Sequence, residues 1–248
     1  MLEVLGVIPA RYSSSRFPGK PLVKILGKPM IIWVAEATAI ALGSENVVVA
    51  TDDDRIHKIV NDYGFNVLMT SNDCLTGTDR VSEVAQRLDA QIYLNIQGDE
   101  PLINPIDILE VYNYKKNHND YIINCMSKIT SDENPSNVNL IKIVANESGR
   151  LLYMSRGLIP GSKNTVSIPK YYKQVCIYGY NKEQLLRFSS LGRKSLLEGI
   201  EDIEILRFLD LGYEVQMLEV ESNSYGVDEP RDIDIVEKRL LKGKNAES

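Results

Sequence analysis

The chain is poor in the residues that bind transition metals or cross-link a fold. Its 248 residues include only two histidines and three cysteines. Cys74, Cys125 and Cys176 are far apart and odd in number, which argues against a disulfide framework and favours a reducing compartment, so we expect a cytoplasmic protein. Two histidines are too few for a His-rich zinc site or for catalysis that passes protons through several histidines.

Long apolar runs and excess positive charge are missing as well. No run approaches the roughly 20 residues of a membrane helix, and the first residues, MLEVLGVIPARY, lack the basic and apolar regions of a signal peptide. The formal net charge of -6 argues against nonspecific nucleic-acid binding. With 44% apolar and 25% charged residues, the chain is typical of a globular protein. We predict one domain, residues 1–248, without membrane or nucleic-acid partners.

Apolar runs alternate with helical patterns in the first half of the chain. The predicted strands are LEVLGVIP, ENVVVATDD, NVLMTS and AQIYLNIQGDEPLI. The helical patterns between them are PMIIWVAEATAIAL, DRIHKIVNDYG and TDRVSEVAQRLD. This order predicts an α/β fold with a mostly parallel central sheet flanked by helices.

The second half has longer, partly alternating strands and predicts a smaller antiparallel extension of the same sheet. Its predicted strands are DYIINCMSKI, NLIKIVANE, LLYMSR, KQVCIYGY and YEVQMLEVE. One long helix is predicted over SLLEGIEDIEILRFLDLG, and the polar tail, residues 241–248, is predicted to be frayed.

The loops that follow the predicted strands carry the chemistry. Ligand sites in such sheets lie beyond the carboxyl ends of the strands, where ARYSSSRFPGK, ATDDD and NIQGDEP fall. The first loop puts three cations among small residues in an acidic chain, an arrangement suited to phosphate groups. It matches neither the P-loop nor the dinucleotide-binding glycine pattern. A solvated basic loop is the alternative interpretation.

Two aspartates in glycine- and proline-containing loops are candidate metal ligands. Asp99 follows a strand in NIQGDEP, and Asp228 lies in YGVDEPRD near the C-terminus. Carboxylates from distant segments can hold Mg²⁺, which prefers oxygen ligands. The alternative is that each aspartate only forms a turn.

IPARYSSSRFPGKPL resembles the nucleotide-binding loop of the sugar-activating cytidylyltransferases, in particular the CMP-Kdo synthetases (3-deoxy-manno-octulosonate cytidylyltransferases). The resemblance covers nearly the whole chain in family order, through GKPMI, VATDD, TGTDRVSEV, NIQGDEPLI, LLYMSRGLIP, IYGY, LEGIEDIEILR and YGVDEPRDI. It implies a nucleotide-diphosphosugar-transferase-like fold, a Mg²⁺-dependent reaction with CTP and a homodimer. Residues 1–110 would bind CTP, and residues 111–240 would bind the acceptor sugar and form the dimer.

The resemblance also implies roles for individual residues. Arg11, Lys20 and Asp99 would be catalytic, and Asp99 and Asp228 would bind Mg²⁺. The implied CTP contacts are Ala10, Arg11, Ser13, Ser14, Arg16, Lys20, Thr78, Arg80 and Gln97. The anomeric hydroxyl of a 2-keto-3-deoxy sugar acid, with Kdo as the first choice, would attack the α-phosphate of CTP, giving CMP-sugar and pyrophosphate. Lipopolysaccharide and capsule synthesis both remain open as the pathway.

The implied sugar contacts are Arg156, Gln174, Tyr178, Glu201 and Glu204, with Ser155 and Tyr180 as lesser candidates. Ser155, Tyr178 and Tyr180 could instead be packing residues of the sheet. Glu198, Glu201 and Glu204 recur every three residues, which predicts one acidic stripe on a helix, or simply a solvated face.

Two positions on the sugar side depart from the family pattern. Gln174 stands where the family usually has histidine, and Ile205 stands where it usually has glutamine. Another acidic sugar, such as 8-amino-Kdo or a different ulosonic or nonulosonic acid, therefore remains an alternative acceptor. A nucleotide-sugar binding protein without catalytic activity is a third interpretation.

Overall fold

Strands and helices alternate along the first half of the chain. The computed structural model describes residues 1–13, 17–131, 133–163, 170–222 and 224–246, with side chains up to residue 242. The strands are β1 (Leu2–Ala10), β2 (Lys24–Ile25), β3 (Lys28–Pro29), β4 (Val47–Thr51), β5 (Asn66–Met69), β6 (Ala90–Ile96), β7 (Ile122–Lys128), β8 (Lys142–Ala145), β9 (Leu151–Ser155), β10 (Tyr172–Tyr180) and β11 (Val215–Glu219). The α-helices are α1 (Met30–Leu42), α2 (Asp54–Asp62), α3 (Gly77–Arg87), α4 (Pro105–Asn117), α5 (Lys182–Ser189), α6 (Leu196–Glu201), α7 (Ile205–Asp210) and α8 (Asp232–Ala246).

The main sheet has the strand order β11-β7-β10-β6-β1-β4-β5. The pairs β1–β4, β1–β6, β4–β5 and β7–β11 are parallel. Strand β10 runs antiparallel between β6 and β7 and also pairs with β8, which in turn pairs with β9. The predicted fold class, a mostly parallel sheet with a smaller antiparallel extension, is confirmed.

Helices cover both faces of the sheet, which explains why β1 is apolar on both sides. Val4 and Ile8 pack into the core beneath α1, α2 and α4. Leu5 and Val7 point to the other face and pack into the core beneath α3, α5 and α7. A parallel strand buried in this way is a continuous apolar run rather than an alternating one. Among the described helices, none is long and apolar enough to cross a membrane.

The strand order reverses at β1. Helices α1 and α2 lead from β1 outward through β4 to β5, and α3 then returns the chain to β6 on the other side of β1. Crossovers that diverge in this way leave a crevice at the carboxyl ends of the two strands. Arg11 directly follows β1 and Gln97 directly follows β6, so both residues lie at this crevice.

The prediction of one helix over SLLEGIEDIEILRFLDLG is wrong. Helix α6 ends at Glu201, and Asp202 has a left-handed backbone with φ of 54° before α7 begins. Arg156 explains the break, because its guanidinium binds the backbone carbonyls of Glu201 and Asp202 at 2.6 and 3.0 Å. Carbonyl groups at a helix end need such partners. Helices α4, α5 and α8 were not predicted, and α8 continues to Ala246, where a frayed tail was predicted.

Candidate active site

A polar cavity of about 400 Å³ opens at the carboxyl ends of β1 and β6. It brings together residues from the first loop, from the start of α3, from the β6 loop and from the segment before α8. The predicted site residues on its wall are Ala10, Arg11, Lys20, Arg80, Gln97, Asp99, Glu204 and Asp228. Ser13 is exposed, and Ser14 and Arg16 lie outside the described residues.

Lys20 joins the two aspartates that were predicted as metal ligands. Its Nζ lies 2.7 Å from Asp99 Oδ2 and 3.9 Å from Asp228 Oδ1. The two carboxylates therefore lie close together despite their distance in the sequence. Among the described side chains, no group of three or more His, Cys, Asp and Glu residues forms a metal cage. The aspartate pair fits Mg²⁺, which commonly takes one or two carboxylates and completes its shell with water and phosphate oxygens.

The loop between Arg11 and Lys20 is closed at its base. Gly19 N–H donates to the Tyr12 carbonyl at 2.9 Å, and Gly19 has φ of +72°. A Cβ at Gly19 would lie 3.0 Å from the Tyr12 ring, and the guanidinium of Arg55 covers that ring, 3.3 Å from its centroid. Both the backbone angle and the close approach require glycine here.

Glu204 binds the first turn of α3 instead of standing free in the cavity. Its carboxylate accepts hydrogen bonds from Gly77 N at 3.0 Å, Thr78 N at 2.8 Å and Thr78 Oγ1 at 2.6 Å. Burial raises the pKa of Glu204, while these three bonds favour its charged form. Thr78 was predicted to contact CTP and Glu204 to contact sugar, and in the structure the two side chains bind each other.

Arg80 and Gln97 complete the wall beside α3. Arg80 is buried, and its guanidinium binds Asp52 at 3.0 Å and the hydroxyl of Thr70. A Cβ at Gly77 would lie 2.8 Å from Gln97 Nε2, so glycine permits the close contact between α3 and the β6 loop.

A second, larger cavity of about 670 Å³ adjoins the first and shares Gln97, Asp99, Glu204 and Asp228 with it. Four predicted sugar contacts line it: Arg156, Gln174, Tyr178 and the shared Glu204. Arg156 is held in place because its guanidinium also binds the Val138 carbonyl at 3.1 Å. Gln174 Nε2 donates to Asn124 Oδ1 at 3.0 Å.

The predicted acidic stripe does not exist. The helix breaks at Asp202, and the three glutamates bind different partners. Glu198 binds Arg207 Nε at 2.6 Å. Glu201 accepts from Ser155 Oγ at 2.7 Å and from Arg156 N at 2.9 Å. Burial alone would raise the pKa of Glu201, but these hydrogen bonds outweigh it and lower the pKa.

Some predicted sugar-side residues do not line either cavity. Glu201 binds the end of β9 instead. Tyr180 is buried against Phe208, and the two ring centroids are 5.1 Å apart. Ile205 is 1% exposed and packs into the core beneath α3 and α5. Of the two departures from the family pattern, only Gln174 therefore lies at the cavity.

Sequence reasoning missed several residues of the second cavity. Lys173 and Glu133 form a buried ion pair on its wall, and Glu100 binds Ser224 there. Two of these residues are sequence neighbours of predicted site residues, since Lys173 precedes Gln174 and Glu100 follows Asp99. This proximity in the sequence could have identified them. Their partners come from distant segments that no local pattern identifies.

The chain is similar to known cytidylyltransferases over nearly its whole length. Residues 5–218 match the cytidylyltransferase family model. The chain is 40% identical over 247 residues to the 3-deoxy-manno-octulosonate cytidylyltransferase of Leptospira interrogans, covering 98% of each chain. It is 38% identical to the mitochondrial 3-deoxy-manno-octulosonate cytidylyltransferase of Arabidopsis thaliana, covering 98% of this chain and 84% of the relative.

Solved structures of nucleotidyltransferases are also similar to the chain. A CMP:2-keto-3-deoxy-manno-octonic acid synthetase complexed with CTP has a TM-score of 0.88 and 37% identity, covering 97% of this chain and 99% of the other. The inositol-1-phosphate CTP transferase from T. maritima, at 17% identity and a TM-score of 0.69, covers 97% and 96% and shares the fold. The chain thus belongs to the 3-deoxy-manno-octulosonate cytidylyltransferase family and is a nucleotidyltransferase.

Proposed function

We propose that this protein transfers CMP from CTP to the anomeric hydroxyl of Kdo, a 2-keto-3-deoxy sugar acid, and releases pyrophosphate in a Mg²⁺-dependent reaction. The observation that carries the proposal is the Lys20–Asp99–Asp228 cluster at the junction of two cavities. One cavity adjoins the cationic first loop and suits a nucleotide triphosphate. The other contains Arg156 and suits a sugar acid.

Arg11 and Lys20 would bind the triphosphate. Their positive charges would stabilise the negative charge that builds on the leaving pyrophosphate. The hydrogen bond from Gly19 N–H to the Tyr12 carbonyl supports this role, because it holds the two ends of the loop together before the substrate binds. The protein would contribute positioning and charge neutralisation, without a covalent intermediate.

Asp99 and Asp228 would hold Mg²⁺, consistent with their shared contact to Lys20. Bound there, the ion would neutralise phosphate charge and orient the triphosphate. Lys20 reaches both carboxylates, so it would also offset their mutual repulsion when the metal leaves.

The sugar acid would bind in the second cavity. The Arg156 guanidinium donates to three backbone carbonyls, so it would attract the sugar carboxylate mainly through its charge. Gln174 and Tyr178 would contact hydroxyl groups. A second candidate acceptor is another acidic sugar, such as 8-amino-Kdo. The side chain of Gln174 is a neutral amide, and a different polar group at this position would favour sugars with different substituents.

The proposed enzyme is a cytoplasmic homodimer that supplies CMP-Kdo for lipopolysaccharide or capsule synthesis. Strand β9 pairs only with β8 among the described strands, apart from an isolated bridge between Arg150, directly before it, and Gln216 of β11. Helix α6 contacts β9 through Glu201. The exposed apolar side chains on these two elements are Leu152, Leu196 and Ile200. Such a group of exposed apolar side chains supports pairing with a second copy.

Pyrophosphate release with CTP, Mg²⁺ and a panel of acceptors tests the proposal. Kdo, 8-amino-Kdo and N-acetylneuraminate should be compared at equal concentrations. We expect release with Kdo, at a rate at least tenfold above that without acceptor, and loss of release when EDTA removes the metal. Preference for another sugar would support the second acceptor, and release with none of them while CTP still binds would contradict the proposed transfer.

A further inference from the structure

The segment that carries Asp228, of which residues 220–222 and 224–228 are described, lies between β11 and α8 and is anchored on the β6 loop. Ser224 is 6% exposed, and its hydroxyl donates to Glu100 Oε2 at 2.5 Å. Val227 N–H donates to the Asp99 carbonyl at 2.9 Å. Both bonds therefore end on Asp99 or on its immediate neighbour in the chain.

Glu100 is a fixed anchor for this segment. It is 6% exposed and lies against Cys176 on β10. The loop that carries Glu100 is also tied to β10, because Gln97 N–H donates to the Cys176 carbonyl at 3.2 Å. A buried carboxylate held from two sides has little freedom to move.

The other side of the segment is held by α8. The backbone N–H groups of Asp228 and Glu229 donate to Asp232 Oδ2 at 2.9 and 2.8 Å. Asp228 thus lies between two anchors, Asp232 behind it and the Ser224–Glu100 bond before it. The Ser224–Glu100 bond connects it to the loop of Asp99 through side chains, beside the backbone bond from Val227 to Asp99.

We infer that Glu100, acting through Ser224, is a positioning residue that sets the Asp228 carboxylate opposite Asp99. This inference rests on the proposed role of the two aspartates in binding Mg²⁺. Outer hydrogen-bond partners of metal ligands orient those ligands, and their loss typically lowers metal affinity about 10–100-fold. A bond that served only stability would leave metal affinity unchanged in the folded protein.

The test compares two serine-to-alanine variants of the full chain. S224A removes the bond to Glu100. S82A is the matched control, because Ser82 is also buried and its hydroxyl binds Leu185 O at 2.9 Å and Ser189 Oγ at 2.8 Å, between α3 and α5. Electron paramagnetic resonance of free Mn²⁺, with α,β-methylene-CTP bound, gives metal affinity without turnover. Thermal unfolding of each variant reports stability.

We expect the Mn²⁺ dissociation constant of S224A to rise about tenfold, while that of S82A stays within about threefold of the wild type. Equal affinity of S224A and wild type, or an equal loss in S82A, would overturn the positioning role. If the wild type itself binds no Mn²⁺, the proposed metal site fails and the inference fails with it. If the wild type binds Mn²⁺ and releases pyrophosphate while S224A binds equally well, only the inference fails.

Discussion

Lys20 is the side chain on which the proposed chemistry depends most. It contacts both predicted metal ligands and lies on the cavity wall next to Arg11. Removal of one preorganised group that stabilises transition-state charge typically costs a factor of about 10²–10³ in kcat. We therefore expect K20M to lower the rate of pyrophosphate release at least about 100-fold.

Lys24 provides the matched control, because it is an exposed lysine four positions further along the chain. K24M should keep the wild-type rate. An active K20M variant, or an equal loss in K24M, would show that Lys20 has no specific part in the reaction.

Asp107 predicts a pH dependence of stability. It is 3% exposed in the first turn of α4, and burial raises its pKa from 3.8 to about 6. Between these values the native state holds a proton that the unfolded state has lost, so Asp107 stabilises the fold below pH 4 and this contribution is lost as the pH rises through 6. D107N, which mimics the neutral acid, removes this dependence.

Urea unfolding at pH 4 and pH 8 checks the prediction. The free energy of unfolding of D107N relative to the wild type should rise by about 2–3 kcal/mol between the two pH values, at 1.36 kcal/mol per pKa unit. D73N, at an exposed position, serves as the control. A difference that stays constant with pH would contradict the buried, neutral state of Asp107.

At the scale of elements, Arg207 on α7 joins the first turns of α3 and α6. Its guanidinium is fully buried and binds Glu198 at 2.6 Å and Asp79 at 2.8 Å. R207M would leave two carboxylates without their cation, and breaking a buried pair in this way typically costs about 3–5 kcal/mol. We expect a loss of this size in urea unfolding.

R187M on α5 is the comparison for this prediction. Arg187 is exposed, and surface substitutions usually change stability by less than about 0.5 kcal/mol. If R207M is as stable as R187M, the three charged groups do not hold the α3 and α6 turns together.

The elements also show what sequence can predict and what it cannot. The first loop and NIQGDEP were located correctly, because apolar runs define β1 and β6 and parallel strands bring their carboxyl ends together. The partners of Glu198, Glu201 and Glu204 were not predictable, because the helix ends where Arg156, distant in the sequence, binds its carbonyls. Ile205 follows this break and packs into the core.

At the scale of the whole molecule, the proposed homodimer predicts that one apolar patch controls assembly. Ile200 is 73% exposed and Leu152 is 51% exposed. A charge at a buried dimer contact would be desolvated without a partner, so I200E and L152E should shift the protein toward monomer in size-exclusion chromatography with light scattering.

Ile40 on α1 is 75% exposed and offers a control of the same residue type away from this patch. I40E should keep the wild-type mass. A monomeric wild type would contradict the proposed homodimer, and dissociation by I40E alone would place the dimer contact elsewhere.

The identity of the product tests the proposed reaction most directly. The enzyme should be incubated with CTP, Kdo and Mg²⁺, and the mixture resolved by mass spectrometry and ³¹P NMR. We expect CMP-Kdo and one pyrophosphate for each CTP consumed, with neither product formed by a D99N variant. CTP consumption that yields CDP and phosphate, or a wild-type enzyme that binds CTP and forms no CMP-sugar, would contradict the proposed reaction.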